Sequence, residues 1–417
     1  RYCRNKINMD AKNSSLKKIK KWFGLKKAIK TLFIFIAFIG FGFGCIVYGA
    51  YLNKTAQTSV LKMFLIRLSE FDFSFIPKSI KSQAVEINEF TIDVNFKNWE
   101  KIRYLRERAL VSGRISEETE EDVPARIRFQ NHTYKVSISL TGMTGEHIRH
   151  PYKWSLAVNV KGGETILGMK KFALLIPQSR GYLTDWIATK ILQAKGIVGL
   201  RNDFVNVSIN GKNRGIYYLE ERYDKRLIES NENREGIIFR ADDFGSGIKV
   251  YESKKISSNP ELTAQLSRLK KVWQYFLVGE IEANKIFDIE KFASIYAVSD
   301  IMNQKHALFF MNMRLYFNPI TSLIEPIGRE WGYLRNETYT NPTISIGNPI
   351  THEQKAVQEH EILKMLIDSY DFQKEYLKQM DQLTKRSFLD SVININSEEL
   401  NILLQRIHLQ NPFYKFP

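Results

Sequence analysis

Two stretches concentrate the side chains able to do chemistry. Residues 196–229 read GIVGLRNDFVNVSINGKNRGIYYLEERYDKRLIE. An Asn210-Gly211 turn makes a hairpin of them, and Glu221, Asp224 and Lys225 follow directly on its second strand. Residues 312–330 read NMRLYFNPITSLIEPIGRE. Here a hairpin turns at Asn318-Pro319-Ile320-Thr321, its edge strand ends at Pro326, and Glu330 lies just beyond. Carboxylates and a lysine at strand ends are candidates to hold a cation or an anion. Asp243-Phe244-Gly245 spells the triplet with which protein kinases hold Mg²⁺. No H-R-D stretch precedes it and no Gly-rich loop opens a first strand, so it reads as a polar loop after a strand over 237–240.

The chain has no P-loop, no H-E-x-x-H, no G-x-S-x-G and no EF-hand loop. Its histidines, His132, His147, His150, His306, His352, His360 and His408, lack zinc spacing. His306 stands just ahead of the second hairpin. Both cysteines, Cys3 and Cys45, fall within the first 52 residues, so the remainder needs no disulfide and offers no thiolate.

The elements that must position these residues follow from periodicity. Residues 53–80 read as a short helix ended near Pro77, 87–96 as a strand and 99–110 as a basic helix. The acidic run 117–122 reads as a solvated turn. Strands follow at 125–129, 134–140, 153–160 and 171–176, then a helix over 184–194, strands at 204–209 and 215–220, and a short helix from Asp224 to Glu229. A strand at 236–240 precedes long helices over 261–282 and 289–306. Strands at 313–317 and 324–327 make the second hairpin, and residues 353–409 are mainly helical. The class is α+β: a strand-rich half, then a helix-rich half with one embedded hairpin.

The formal charge is +16 over 417 residues, with hydrophobic residues 44% of the chain. Residues 1–30 hold eleven of the basic residues and one acid, Asp10. A charge-free apolar run, 31–52, follows. At about 1.5 Å per residue it reaches roughly 33 Å, enough for a hydrocarbon core of about 30 Å. Positive flanking charge places the N-terminus in the cytoplasm and the rest outside. The run exceeds the h-region of a cleaved signal peptide and no A-x-A site follows. An uncleaved signal anchor therefore fits better than a signal peptide or a lipoprotein at Cys45. With most of the excess charge in this tail, nucleic acid is not an expected partner.

The stretch GMKKFALL (168–175), residues 196–229 and LYFNPITSLIEPIGRE (315–330) together resemble the CotH family, the spore coat protein H-like kinases, and most nearly its membrane-anchored bacterial members. G-x-Y-x-x-x-E-x-x-D-K over 215–225 is the most specific part, and the similarity spans about 123 to 331. The resemblance implies an atypical protein-kinase-like domain in which ATP and Mg²⁺ support phosphate transfer to protein Ser/Thr. Such chemistry needs a cation on the phosphates, acids on Mg²⁺ and a base near the acceptor hydroxyl. By position, Lys153 and Lys170 stand on the nucleotide side with Glu221. Asn312, His306 and Glu330 stand on the catalytic side, Glu330 as the metal ligand.

Charge, hydropathy and the resemblance together give this organisation: 1–30 cytoplasmic tail, 31–52 transmembrane anchor, 53–122 juxtamembrane extension, 123–335 CotH-like domain, 336–417 helical portion. It also implies residence in the cell membrane and an envelope or surface protein as substrate or partner.

The chain departs from the family at telling positions. Where P-W-D-x-D is common, it has Pro326-Ile327-Gly328-Arg329-Glu330. Lys305 or His306 replaces an expected acid. Ser139-Leu140-Thr141-Gly142 replaces R-x-K-G, and Ala157 and Asn159 replace basic residues. Two expectations follow: phosphorylation outside the membrane, or a catalytically impaired, pseudokinase-like binding or assembly module.

Overall fold

The structure, a computed structural model, describes residues 74–115, 121–142, 145–241, 247–308, 312–332 and 361–416, with Gly40 alone before them. The basic tail, the apolar run 31–52 apart from Gly40, and Asp243-Phe244-Gly245 lie outside these residues. Among the described residues no helix is long and apolar enough to cross a membrane.

The chain divides into two units, 1–86 with 404–415, and 87–403 with 416–417. In the first, helix α1 (Phe75–Ser82) carries Pro77 inside its first turn rather than at its end. A proline is tolerated there because the N–H it lacks would have no helical partner. The Phe75 and Phe413 rings lie 4.9 Å apart, and Arg406 Nε donates to the Glu86 carbonyl at 2.9 Å.

In the second unit seven strands close into a barrel. They are β1 (Asn88–Asp93), β2 (Val123–Phe129), β3 (His132–Leu140), β4 (Leu156–Val160), β5 (Lys171–Leu175), β7 (Asn202–Ile209) and β8 (Lys212–Glu221). Alternating residues such as Phe90, Ile92, Ile127, Ile138, Val158, Phe172, Val207, Tyr217 and Leu219 are buried in its core. Each fully buried side chain of this size contributes roughly 1.5–3 kcal/mol. β1 pairs antiparallel with β2 and parallel with β7, placing Ile92 opposite both Ile127 and Ile209. Helix α2 (Phe96–Ser112) lies beside β2 and β3. Thus residues 88–93, which the sequence sets in a juxtamembrane extension, are a strand of the barrel, and 96–112 form a helix beside it. Asn95 caps α2 by accepting from Asn98 N, and Gly113 ends it at φ +75°, so the helix runs longer than its apolar spacing suggests.

The second sheet has the order β10-β9-β11-β12-β6. These strands are β6 (Val198–Gly199), β9 (Ile237–Ala241), β10 (Ile248–Val250), β11 (Arg314–Phe317) and β12 (Ile324–Gly328). β11 and β12 form the expected hairpin, and β6 runs parallel to β12 with Gly328 opposite Gly199. Helix α3 (Thr184–Ala194) joins barrel to sheet, and α4 (Lys225–Ser230) follows β8, capped by Asp224. Next come α5 (Ser253–Ser257), α6 (Pro260–Leu277) and α7 (Ile289–Ile301). α7 stops five residues before the expected end, because Asn303 adopts φ +53° and Lys305–Leu308 forms a separate 3₁₀ turn. The C-terminal portion is helical as expected: α8 (Glu361–Ile367), α9 (Tyr370–Leu383), α10 (Arg386–Ile395) and α11 (Ser397–His408). α9 packs on α7, with Tyr296 edge-on to Phe372.

Candidate functional site

The richest polar constellation joins the barrel to the second sheet, and Arg180 is its centre. Arg180 ends the 3₁₀ turn Pro177–Arg180, followed by Gly181 at φ +55°. Its guanidinium meets Glu220 of β8 two-pronged, Nε to Oε2 at 2.6 Å and Nη2 to Oε1 at 3.2 Å. Nη2 also lies 3.6 Å from Glu330 Oε1. Both Arg180 and Glu220 are buried. A Cβ added to Gly332 would lie 1.8 Å from the Arg180 carbonyl oxygen, so the chain after Trp331 runs directly over the Arg180 backbone. Asp185, in the first turn of α3, accepts from the Tyr218 hydroxyl and from Trp331 N–H, each at 2.8 Å. Burial, with Glu220 nearby, pushes the Asp185 carboxyl up to about 6, against Arg180 and its two hydrogen bonds.

Glu330 follows β12 with φ +61°. Its carboxylate pairs with Arg329 and lies 3.7 Å from His306 Nε2. Burial alone would raise it, but Arg329, Arg180 and His306 together hold it down at about 2. Arg329 Nη1 donates to the Asn312 carbonyl at 3.1 Å. The Asn312 amide donates to the His306 carbonyl at 3.0 Å and lies 3.2 Å from the His306 ring. His147, whose Nδ1 is 2.9 Å from Ser155 Oγ, is pushed down to about 4 by burial and by Arg180.

The structure therefore brings Asn312, His306 and Glu330 together and places the other three expected residues elsewhere. Lys153 donates to the Ile216 carbonyl at 2.5 Å and sits 4.9 Å over the Tyr217 ring. Burial lowers its ammonium to about 8. Ile216 precedes Glu220 by four residues, about 13 Å along a strand. Glu221 pairs instead with Arg201, at 2.5 and 2.8 Å. Lys170 is half-buried just before β5, while its neighbour Lys171 pairs with Glu252.

Sequence reasoning missed Arg180, Asp185, Glu220 and His147. One signal was available: Tyr217 and Leu219 are apolar core positions, so period-2 alternation sends Glu221 with them and Glu220 to the other face.

Mg²⁺ demands near-octahedral oxygen ligands at about 2.0–2.1 Å. The carboxylates here do not fit it. Glu330 faces two guanidiniums, Glu220 is taken two-pronged by Arg180, and Asp185 has a donor on each oxygen. Among the described residues no group of three His, Cys, Asp or Glu is placed to hold a metal ion. Gly328, where the resemblance places a further acid, is closed by α3. A Cβ there would lie 2.6 Å from Leu192 Cδ1, and one on its partner Gly199 would lie 2.7 Å from Thr189 Cγ2.

Residues 142–415 match the family described as CotH kinase protein. The match covers more than half of the chain, and the protein belongs to the CotH family. No curated protein matches it.

Proposed function

We propose that this chain is a CotH-family binding or assembly module whose kinase-like site does not run Mg²⁺-dependent phosphotransfer. The observation that carries this reading is Glu330 held between Arg329 and Arg180. A metal ligand needs free lone pairs, and this carboxylate has two guanidiniums on them. The partner is an envelope or surface protein, met at the outer face of the membrane to which the basic tail and apolar run at 1–52 tether the chain.

The test is a thermal-shift titration of the full chain with ATP and Mg²⁺ or Mn²⁺, beside phosphate transfer to envelope proteins. No shift and no transfer are expected, and pull-downs should be unchanged by Glu330→Ala. Transfer that disappears in Glu330→Ala would establish the second reading, an atypical protein kinase using ATP and Mg²⁺. That reading is favoured by the family itself and by the convergence of Asn312, His306 and Glu330.

A further inference from the structure

Three cations stand side by side on the outside of the barrel, none of them part of the Arg180 network. Arg126 on β2 stands opposite Lys135 on β3, and Lys161, just past β4, donates its main-chain N–H to the Lys135 carbonyl at 2.8 Å. Their chain neighbours Ile127, Val136 and Val160 are in the core, so alternation turns the basic side chains outward, and all three residues are exposed. Neighbouring strands lie about 4.8 Å apart, which makes the row roughly 10 Å long. Like charges directly opposite one another weaken a sheet. Among the described residues no ion pair or hydrogen bond joins any of these three side chains to an acid.

The acids at the margins of the row are engaged. Asp93, opposite Arg126 on β1, pairs with Arg128 at 3.0 Å. Asp122 accepts from Ser137 Oγ at 2.7 Å and from Asn159 Nδ2 at 3.2 Å, on the same outward face of β3 and β4. Burial would raise its carboxyl, but hydrogen bonds from Ser137, Ser139 and Asn159, with Lys161 nearby, hold it below its usual range. This face therefore already holds one carboxylate of its own chain. Beside Arg126 opens a cleft of about 550 Å³, walled by Val94, Pro124 and Ala125. Asn95 and Asn210 line it too, and each spends its side-chain oxygen on a main-chain N–H, that of Asn98 or Val94. Their NH₂ groups remain as donors.

We propose that this face of the barrel docks an acidic segment of a protein partner, its carboxylates on Arg126, Lys135 and Lys161 and its main-chain carbonyls on the amides of the cleft. A phosphate polymer would leave the apolar wall unused. The proposal rests on the reading of the chain as a binding module and names the chemistry of what it binds.

The experiment is fluorescence anisotropy of a short, fluorescein-labelled peptide of alternating Glu and Val, titrated with the purified full chain at physiological salt. It compares the native chain, Arg126→Gln with Lys135→Gln, and a control, Arg268→Gln with Lys270→Gln, two exposed cations of α6. The first pair should weaken binding about fivefold or more, and the control should leave it unchanged, since the basic tail is common to all. Melting temperature should hold or rise in the first pair, because the opposed charges are gone, so that lost binding is not lost folding. Equal weakening in both pairs, or none in either, overturns the inference. Tighter binding of an inorganic polyphosphate of matching charge also overturns it. So does peptide binding that appears only with Glu117→Gln, Glu118→Gln and Glu120→Gln, which would give the face to the chain's own acidic run. In each of these cases the proposed function stands if envelope pull-downs persist. Glu330-dependent phosphate transfer would overturn that function and leave the peptide result intact.

Discussion

Glu220 and Glu221 are neighbours on one strand, each held two-pronged by an arginine, yet they belong to different arrangements. Glu221 answers to Arg201, whose side chain is 34% exposed. Glu220 answers to Arg180, whose side chain is 8% exposed and which also serves Glu330 and lies close to Asp185. One pair is local and partly in water. The other is the hub of a buried network that ties the 3₁₀ turn, β8, α3 and the end of β12. Strand alternation assigns each glutamate its face, and what stands on that face decides how far a perturbation spreads.

The largest expected effect separates the two arginines. Arg180→Ala leaves Glu220 and Glu330 buried without their shared cation and should destabilise by about 3–5 kcal/mol. Arg201→Ala should cost clearly less, because water replaces much of its guanidinium. Urea unfolding of both variants measures this, and equal losses would dissolve the distinction.

A second prediction uses pH within the network. The Asp185 carboxyl rises from 3.8 to about 6 on folding, so the folded state binds the extra proton. Its contribution to stability is complete below pH 3.8 and is lost as pH climbs to 6. Glu330 falls from 4.5 to about 2. Its contribution is complete above pH 4.5 and is lost as pH drops to 2. Each is on the order of 3 kcal/mol. Stability–pH curves should lose the first slope in Asp185→Asn and the second in Glu330→Gln. A Glu330→Gln curve that still falls below pH 4.5 as steeply as the native one would contradict the pairing.

The smallest effect concerns the local pair. Glu221→Gln keeps one acceptor for Arg201 and should cost about 1–2 kcal/mol, with little change in the melting of a Glu330→Gln background. Strong coupling between these two substitutions in a double-mutant cycle would merge the two regions into one.

Much of the fold was legible because its signals are local. Alternation marked β2, β3, β7 and β8, and Asn210-Gly211 marked the turn between the last two. The 184–194 helix was read at its observed bounds. The end of α7 was not, since nothing in the apolar pattern announces that Asn303 turns left-handed. The site was legible only in part, for a similar reason. Asn312, His306 and Glu330 fall within one stretch of chain, whereas Arg180, Asp185 and Glu220 reach them across long separations with no shared spacing. Lys153 and Glu221 were placed by resemblance, and the resemblance could not report that each already had a partner, the Ile216 carbonyl and Arg201.

The parallel pairing of β1 with β7 also has a consequence in time. Residues 88–92 are made early but wait for residues 205–209 before their second edge is covered. More than a hundred residues must therefore be delivered before the ring can shut, and such distant pairings slow folding. Until then β1 exposes a row of unsatisfied amides and carbonyls to any strand that comes near. Emergence of the chain as far as β7 is thus the step at which that hazard ends.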